Sequence, residues 1–216
     1  MDFSGAFSPD NLQFLMEGFY VTLKVAFISI VFSFIVGGVI GTLRFAKIPI
    51  LSKILAIVVE TIRNLPLLLI ILFAYFALPE LGINLTPTVS AIVALTVFES
   101  AMLAEIVRGG LNSIEKGQME AARSSGLTYV QALRTVILPQ ALRRMVPNLV
   151  SQFISLLKDT SLAVVIALPE LLHNAKILQA HYPNDVIPIF ILIALMYFVV
   201  NYALSLIARR LELKTV

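Results

Sequence analysis

Several ionisable side chains occur within or close to long apolar runs of this sequence, where a charge needs a physical reason to be present. Placing a charge at the centre of a bilayer costs on the order of 3 kcal/mol on insertion scales, so such residues face protein or a watery cavity. The pattern therefore indicates a path for a polar solute across a membrane. The residues concerned are Glu60, Arg63, Glu99, Glu105, Lys158 and Asp159.

A solute that carries both a carboxylate and an ammonium group could bind to these side chains. Its carboxylate needs a cationic or amide partner, and its ammonium group needs an acceptor. Arg63 and Asn64 supply the first, and Glu99 or Asp159 supplies the second. An additional buried carboxylate would suit a further cationic group on such a solute. The predicted substrate-binding residues are Arg63, Asn64, Glu99, Asp159, Lys158 and Glu60.

The same charges have a structural alternative. Glu60 and Arg63 are three residues apart, so they could neutralise each other on one helix. Lys158 could pair with Glu99, and Asp159 with Arg63, as ties between helices. Substrate contact and structural pairing both remain open at this point.

Two further features are expected to be structural. Glu105 and Arg108 lie three apart near the inner end of an apolar run, which favours an ion pair. Gly37 and Gly41 have the Gly-x-x-x-Gly spacing that permits close helix packing.

The composition favours a bilayer as the solvent of this chain. Of 216 residues, 59% are hydrophobic and 13% are charged, whereas soluble domains carry about 25% charged residues. The mean hydropathy is +0.94. The absence of cysteine excludes disulfides and cysteine-ligated metals. The basic residues flank apolar segments, which indicates membrane topology and no nucleic-acid partner.

Apolar segments of spanning length predict a single all-α integral membrane domain over residues 1–216 with five transmembrane helices. A crossing needs roughly 20 apolar residues. Ser8-Pro9 and Thr86-Pro87 pair an N-cap hydroxyl with proline at the first helical position. Ser8 is expected to open a short surface helix before the first span. The predicted spans cover residues 18–43, 54–78, 87–107, 146–168 and 186–208.

Proline is expected to interrupt two of these segments. Pro66 has no amide donor for the carbonyl of Ile62, so that carbonyl is expected to be free where the second span breaks. Pro139 and Pro147 are expected to bend or break the chain as it re-enters the membrane.

Basic residues lie almost entirely on one predicted side of the membrane. Lys24 and Lys176 fall on the other side. The positive-inside rule therefore places the N-terminus outside and the C-terminus in the cytoplasm. Twelve of the sixteen basic residues lie on the inner side: Arg44, Lys47, Lys53, Arg108, Lys116, Arg123, Arg134, Arg143, Arg144, Arg209, Arg210 and Lys214.

Residues 117–139 form a polar segment between apolar runs, on the predicted cytoplasmic side. Gly126 suits the C′ position that ends a first short helix, in which Glu120 and Arg123 are placed to meet. Thr128 and Gln131 have the spacing of a capping box that begins a second helix. A fixed corner favours a rigid docking element over a connector lying on lipid headgroups, although a connector remains an alternative.

The same segment resembles the signature of permease subunits of ATP-binding-cassette (ABC) importers. That signature is Glu-Ala-Ala, three residues, Gly, nine residues, Ile, one residue and Leu-Pro. Val136 replaces the isoleucine here. The matching residues are Glu120, Ala121, Ala122, Gly126, Leu138 and Pro139. Other stretches resemble the polar amino acid branch of the family, among them GFYVTLKVAF, ETIRNLPLLLIILF, FESAMLAEIVRGGLNSI and SLLKDTSLAVVI. This resemblance implies a polar amino acid as cargo, and the additional buried carboxylate favours arginine, lysine or histidine.

The resemblance implies a type I ABC importer permease fold, with a coupling segment at about residues 112–139 that docks on a cytoplasmic ATPase. The chain has no Gly-x-x-x-x-Gly-Lys-[Ser/Thr] motif, so ATP and Mg²⁺ are expected in that partner and no cofactor or enzymatic activity in this chain. A second permease, as a two-fold homodimer or as a pair with a close relative, and an extracytoplasmic substrate-binding protein complete the implied complex in the bacterial inner membrane. The homodimer is the form predicted first.

Other functions fit less well. A stand-alone secondary amino acid transporter usually has more spans and internal repeats. A membrane hydrolase needs a nucleophile and a base within reach, and a docking scaffold leaves the intramembrane charges without a role. His173 and His181 lack a third ligand nearby, so no metal site is predicted.

Overall fold

The computed structural model describes residues 7–213, and Lys214, which contributed to the predicted orientation, lies outside them. The described chain is helical throughout, with π-helical turns at Phe73–Ala77 and Leu133–Ile137 and 3₁₀ turns at Leu78–Leu81 and Thr160–Ile166. Its α-helices are α1 Pro9–Phe45, α2 Leu51–Arg63, α3 Leu67–Leu72, α4 Pro87–Asn112, α5 Lys116–Ser124, α6 Tyr129–Ala132, α7 Leu138–Asp159, α8 Leu171–His181 and α9 Val186–Leu213.

Four helical runs within residues 7–213 are long and apolar enough to cross a bilayer. They are Pro9–Phe45, Pro87–Asn112, Tyr129–Ile166 and Val186–Arg210. Leu51–Arg63 and Leu67–Leu81 pass the same criterion together, with a bend of 99° between them. The five predicted spans are therefore found if this bent pair counts as one broken span.

The first helix corrects the prediction of a separate surface helix. Ser8 does cap the helix, since its Oγ accepts a hydrogen bond from the amide of Asn11 at 3.4 Å. The helix then continues for 37 residues without a break, which is about 55 Å at 1.5 Å per residue. The sequence between Gln13 and Gly18 carries no stop signal, so the surface helix was a wrong prediction. The cap at Thr86 is confirmed, with Val89 as the donor at 3.3 Å.

The break in the second span occurs at the predicted place, but the Ile62 carbonyl is not free. The amide of Leu65 donates to it at 3.2 Å, because the last turn tightens before Pro66. The chain therefore turns through 99° without leaving that carbonyl to a ligand.

Pro139 and Pro147 do not end the helical run from Tyr129 to Ile166. Pro139 sits in the first turn of α7, where a missing amide is tolerated. The π turn Leu133–Ile137 comes directly before it, and the amide of Leu138 bonds the carbonyl of Leu133. Pro147 lies inside α7. The predicted break is therefore replaced by a local widening of the helix.

The close packing predicted at the glycines of α1 is confirmed. A Cβ atom on Gly41 would lie 2.6 Å from the carbonyl oxygen of Ala104, and one on Gly37 would lie 2.8 Å from that of Ser100. These distances bring α1 against α4 along much of their length, and the pair provides the frame on which the other helices pack.

Candidate substrate path and coupling surface

Glu99 lies in the interior of the helix bundle with only part of its hydrogen-bonding capacity used. Its side chain is 1% exposed, and its Oε2 accepts a hydrogen bond of 3.1 Å from Nε2 of Gln152. Its Oε1 has no hydrogen-bond partner within residues 7–213. A buried carboxylate with a free oxygen is costly unless a ligand or water completes its shell.

Asp159 belongs to the same region. It follows Gln152 by seven residues on α7, which puts both side chains on one face of that helix. Asp159 is half-buried and acts electrostatically on Glu99. The sequence prediction included Glu99 and Asp159 but missed Gln152, although the spacing of seven residues was a usable signal.

The predicted ion pairs of Lys158 with Glu99 and of Asp159 with Arg63 do not form within the described residues. Lys158 is exposed, and neighbouring residues on a helix project in directions about 100° apart, which separates it from Asp159. The ion pairs found among residues 7–210 involve other partners: Arg44–Glu105, Arg63–Glu60 and Arg108–Glu105.

Glu60, Arg63 and Asn64 form a second polar group at the end of α2. Arg63 Nη1 lies 3.7 Å from Glu60 Oε2, and Asn64 Nδ2 donates to Glu60 Oε1 at 3.1 Å. Glu60 and Asn64 line an open depression of about 500 Å³, together with Thr61 and Arg44. The local pairing of Glu60 with Arg63 is thus confirmed, and within the described residues no hydrogen bond or ion pair joins this group to Glu99 or Asp159.

The depth of this second group follows from the packing of α2. Val59 is 1% exposed and packs in one cluster with Ala101 and Ala104 from the central part of α4. Glu60, the next residue, therefore lies at the depth of the middle of a membrane-crossing helix. A polar face at that depth requires protein or water against it.

The predicted ion pair of Glu105 and Arg108 is confirmed, and it extends to a third residue. Arg108 Nε donates to Glu105 Oε1 at 3.1 Å, and Arg44 Nη1 donates to Glu105 Oε2 at 2.7 Å. Arg44 comes from the last turn of α1, so this cluster ties α1 to α4. Its position supports a structural role.

The polar segment has the predicted corner. Gly126 has φ +87°, in the left-handed region that glycine adopts most easily. The amide of Gln131 donates to Thr128 Oγ1 at 3.3 Å, and Gln131 Oε1 accepts from the amide of Thr128 at 2.9 Å. The capping box is therefore complete, and α5 and α6 meet at a fixed angle.

The charges at this corner differ from the prediction. Arg123 does not pair with Glu120; its Nη1 donates to the carbonyl of Leu127 at 3.3 Å and so reinforces the corner itself. Glu120 is exposed and lines a pocket of about 330 Å³ beside α5. Ala122 is buried, whereas Ala121 and Pro139 are exposed.

Apolar contacts fasten the segment to the membrane helices. Ile114 and Ile137 are buried in one cluster with Met145 of α7 and Leu111 of α4. Arg144 also donates a short hydrogen bond to the carbonyl of Ser113. A force on α5 would therefore pass directly to α4 and α7.

A third polar group, which the sequence did not reveal, lies at the end of the bundle opposite residues 117–139. Glu170 is completely buried and caps α8 through the amides of Leu172 and His173, at 2.9 and 2.7 Å. Burial raises the pKa of the Glu170 carboxyl, and these amide hydrogen bonds oppose the shift. The Tyr197 hydroxyl also donates to it, at 3.2 Å.

Comparison with known proteins agrees with this arrangement. Residues 29–216 match the family described as "Binding-protein-dependent transport system inner membrane component". "Probable glutamine ABC transporter permease protein GlnP" of Bacillus subtilis (strain 168) is 66% identical over 216 residues, covering 99% of both chains. GlnM, another probable glutamine permease of that strain, is 40% identical and covers 94% of both.

Solved structures of ABC transporters also resemble this chain. "Crystal structure of an amino acid ABC transporter with histidines" has a chain that superposes with a TM-score of 0.91 at 31% identity, with 99% of both chains covered. The inward-facing MetNI methionine ABC transporter has a TM-score of 0.77 at 23% identity, over 95% of this chain and 99% of that chain, and shares the fold. The predicted permease fold is confirmed, and the chain belongs to the family of binding-protein-dependent transport system inner membrane components, the permease subunits of ABC importers.

Proposed function

We propose that this chain forms the translocation path of an ATP-driven importer that carries a polar amino acid across the bacterial inner membrane into the cell. The observation that carries this proposal is the buried carboxylate of Glu99, which has a free oxygen and the amide of Gln152 beside it. In a chain of this family, a polar site inside the bundle is suited to a polar solute on its way across.

Within this proposal Glu99 and Asp159 accept the ammonium group of the cargo, and Arg63 and Asn64 bind its carboxylate. Glu60 holds Arg63 and Asn64 in place through the contacts described above. Lys158, which is exposed, supplies a further positive charge at the edge of the path.

Glutamine is the cargo that we propose first. The Gln152 amide occupies one oxygen of Glu99, which leaves less negative charge for a cationic side chain. A carboxamide side chain both donates and accepts hydrogen bonds, as this mixed site requires. The relatives named as probable glutamine permeases support this choice. A basic amino acid is the second candidate, since the similar solved transporter was determined with histidines.

The coupling role rests on the corner at Gly126. A rigid two-helix element that is anchored to α4 and α7 can transmit a push from a cytoplasmic ATPase, in which ATP and Mg²⁺ are bound. Glu120, Ala121, Gly126 and Pro139 are the exposed members of the family signature. Ala122 and Gly126 shape the element, and Leu138 begins α7 behind it.

A second permease is needed to cover the polar face of α2. GlnP and GlnM are different proteins of one organism with the same named cargo, and this chain is similar to both. That finding favours a pair of related but non-identical permeases and does not support the predicted homodimer. The basic residues favour an N-terminus outside, where a substrate-binding protein would deliver cargo, and a C-terminus in the cytoplasm.

Uptake by the purified complex tests this function. The complex of this chain, its companion permease and the ATPase is reconstituted in liposomes with ATP inside and binding protein outside. We expect labelled glutamine to enter only with ATP, and unlabelled glutamine to compete better than arginine or histidine. Uptake by this chain alone, driven by an ion gradient, would instead establish a secondary transporter.

A further inference from the structure

The outer end of the bundle contains a buried polar network that joins three helices. Oε1 of Glu170 accepts from the amide of His173, and Oε2 accepts from the amide of Leu172 and from the Tyr197 hydroxyl. The carboxylate therefore serves two purposes at once. It caps α8, and it binds α8 to α9, to which Tyr197 belongs.

Helix α1 joins the same network from the other side. Thr22 is completely buried, and its Oγ1 accepts a hydrogen bond of 3.2 Å from the amide of Leu171. Asn174 Nδ2 donates to the carbonyl of Phe14 at 2.7 Å. Gly18 permits this approach, since a Cβ atom there would lie 2.9 Å from the Glu170 carbonyl oxygen.

Apolar packing surrounds these bonds and keeps water away from them. Leu15 of α1, Leu171 of α8 and Ile189 of α9 are completely buried in one cluster. Separating α8 from α1 would leave the amide of Leu171 and the side-chain amide of Asn174 without partners in an apolar setting, which is unfavourable. The three helices are therefore expected to stay together when other parts of the chain move.

The network also reaches the proposed substrate site. Thr160 directly follows Asp159, is completely buried and lies beside the Tyr197 hydroxyl. The chain from Thr160 to Glu170 is short and bonded to itself, with the amide of Leu168 donating to the carbonyl of Ala163. The end of α7, with Asp159, is thus held at a fixed place relative to α8.

We propose that Glu170 is a positioning residue of the transport path: it locks α8 to the outer part of α9, while Leu171 and Asn174 bind α8 to α1. This three-helix unit moves as one body and sets the position of Asp159. The proposal rests on the proposed function of Asp159 as a substrate contact. It assigns to α8 the role of a fixed support, in contrast to an outer gate that opens independently of α1.

Whether α1 and α8 move as one body can be measured as a distance between two introduced cysteines, because the chain itself has no cysteine. Glu17 of α1 and Lys176 of α8 are exposed, so Glu17→Cys and Lys176→Cys are suitable for paired spin labels in the assembled complex. We expect the same distance distribution without nucleotide and after trapping with ATP and vanadate. A distance change on trapping would show that α8 moves independently and would overturn the proposal.

The positioning claim is tested by Glu170→Gln, which keeps the size of the side chain but replaces one acceptor with a donor. We expect normal assembly and ATP hydrolysis but about tenfold less glutamine imported per ATP, because Asp159 is displaced. Glu170→Asp should partly restore that ratio, since aspartate also caps helices. Glu80→Gln changes an exposed outer carboxylate and should leave the ratio at the wild-type value.

Two outcomes separate failure of this proposal from failure of the proposed function. If the wild-type complex imports no amino acid, the proposed function is wrong. If the wild type imports glutamine and Glu170→Gln does so with the same ratio of glutamine to ATP, the positioning role is wrong. Should Glu170→Gln not assemble, Tyr197→Phe removes the hydroxyl that donates to Glu170, and an unchanged ratio in that variant would likewise overturn the proposal.

Discussion

Gln152 of α7 donates a hydrogen bond of 3.1 Å to Glu99 of α4, and the other oxygen of that carboxylate has no partner within residues 7–213. The two residues are 53 positions apart in the chain. The bond joins two membrane-crossing helices at a point where a polar solute could replace the missing partner. Substitutions of either residue are therefore expected to change substrate transport.

Glu99→Gln removes the charge of the carboxylate with little change in shape. We expect glutamine uptake to fall about tenfold, which is the effect of losing roughly 1.4 kcal/mol of binding free energy. The thermal stability of the purified complex should not fall, because an incompletely partnered buried charge is removed. Uptake kinetics and a melting curve check both parts. Unchanged uptake would mean that Glu99 has a structural role alone.

Gln152→Glu is expected to change which amino acid is carried. A second carboxylate beside Glu99 and Asp159 favours a cationic side chain, so the ratio of arginine to glutamine uptake should rise about tenfold. Competition between labelled and unlabelled amino acids measures the ratio. Asn148→Asp is the matched control, since Asn148 is exposed one turn earlier on α7. The same shift in both variants would argue against a specific role for Gln152.

Gly126→Ala tests the corner of the coupling segment. A side chain at φ +87° strains the backbone by about 1–2 kcal/mol, although the space around Gly126 is open. We expect weaker binding of the ATPase and less ATP-dependent uptake. Gly117→Ala in the same segment also enters open space but has no positive φ. Equal effects of the two substitutions on co-purification of the ATPase would contradict the account.

Gly41→Ala tests the packing of α1 on α4. The added methyl group would lie 2.6 Å from the Ala104 carbonyl oxygen, so the helices must separate. Overpacking of this kind typically costs about 1–3 kcal/mol, and we expect a lower melting temperature in detergent. Gly38→Ala, on the open side of the same helix, should melt as the wild type does. An equal drop in melting temperature in both variants would show that the close approach of α1 to α4 at Gly41 does not contribute to stability.

Sequence reasoning predicted features that arise within a few residues. The corner at Gly126, the capping box of Thr128 and Gln131 and the break before Pro66 all follow from local backbone chemistry. The surface helix before residue 18 was wrong because the cap at Ser8 marks where a helix begins and says nothing about where it ends.

Features that join distant parts of the chain could not be predicted in this way. Arg44 reaches Glu105 across 61 residues, and Tyr197 reaches Glu170 only because α9 packs beside α8. The pairing of such residues depends on which helix faces meet. Charges inside apolar runs indicate that partners exist, but several arrangements satisfy them equally well, and two of the predicted ties did not form.

The central claim is that residues 117–139 face the cytoplasm and receive the ATPase there. Measuring from which side of the membrane this segment can be labelled tests that claim most directly. Gln118 is exposed on α5, and Gln118→Cys would give the chain a single thiol. A membrane-impermeant maleimide should label it in inside-out vesicles and not in right-side-out vesicles, and bound ATPase should protect it. Labelling from the outer side alone would contradict the claim that a cytoplasmic ATPase drives transport through this segment.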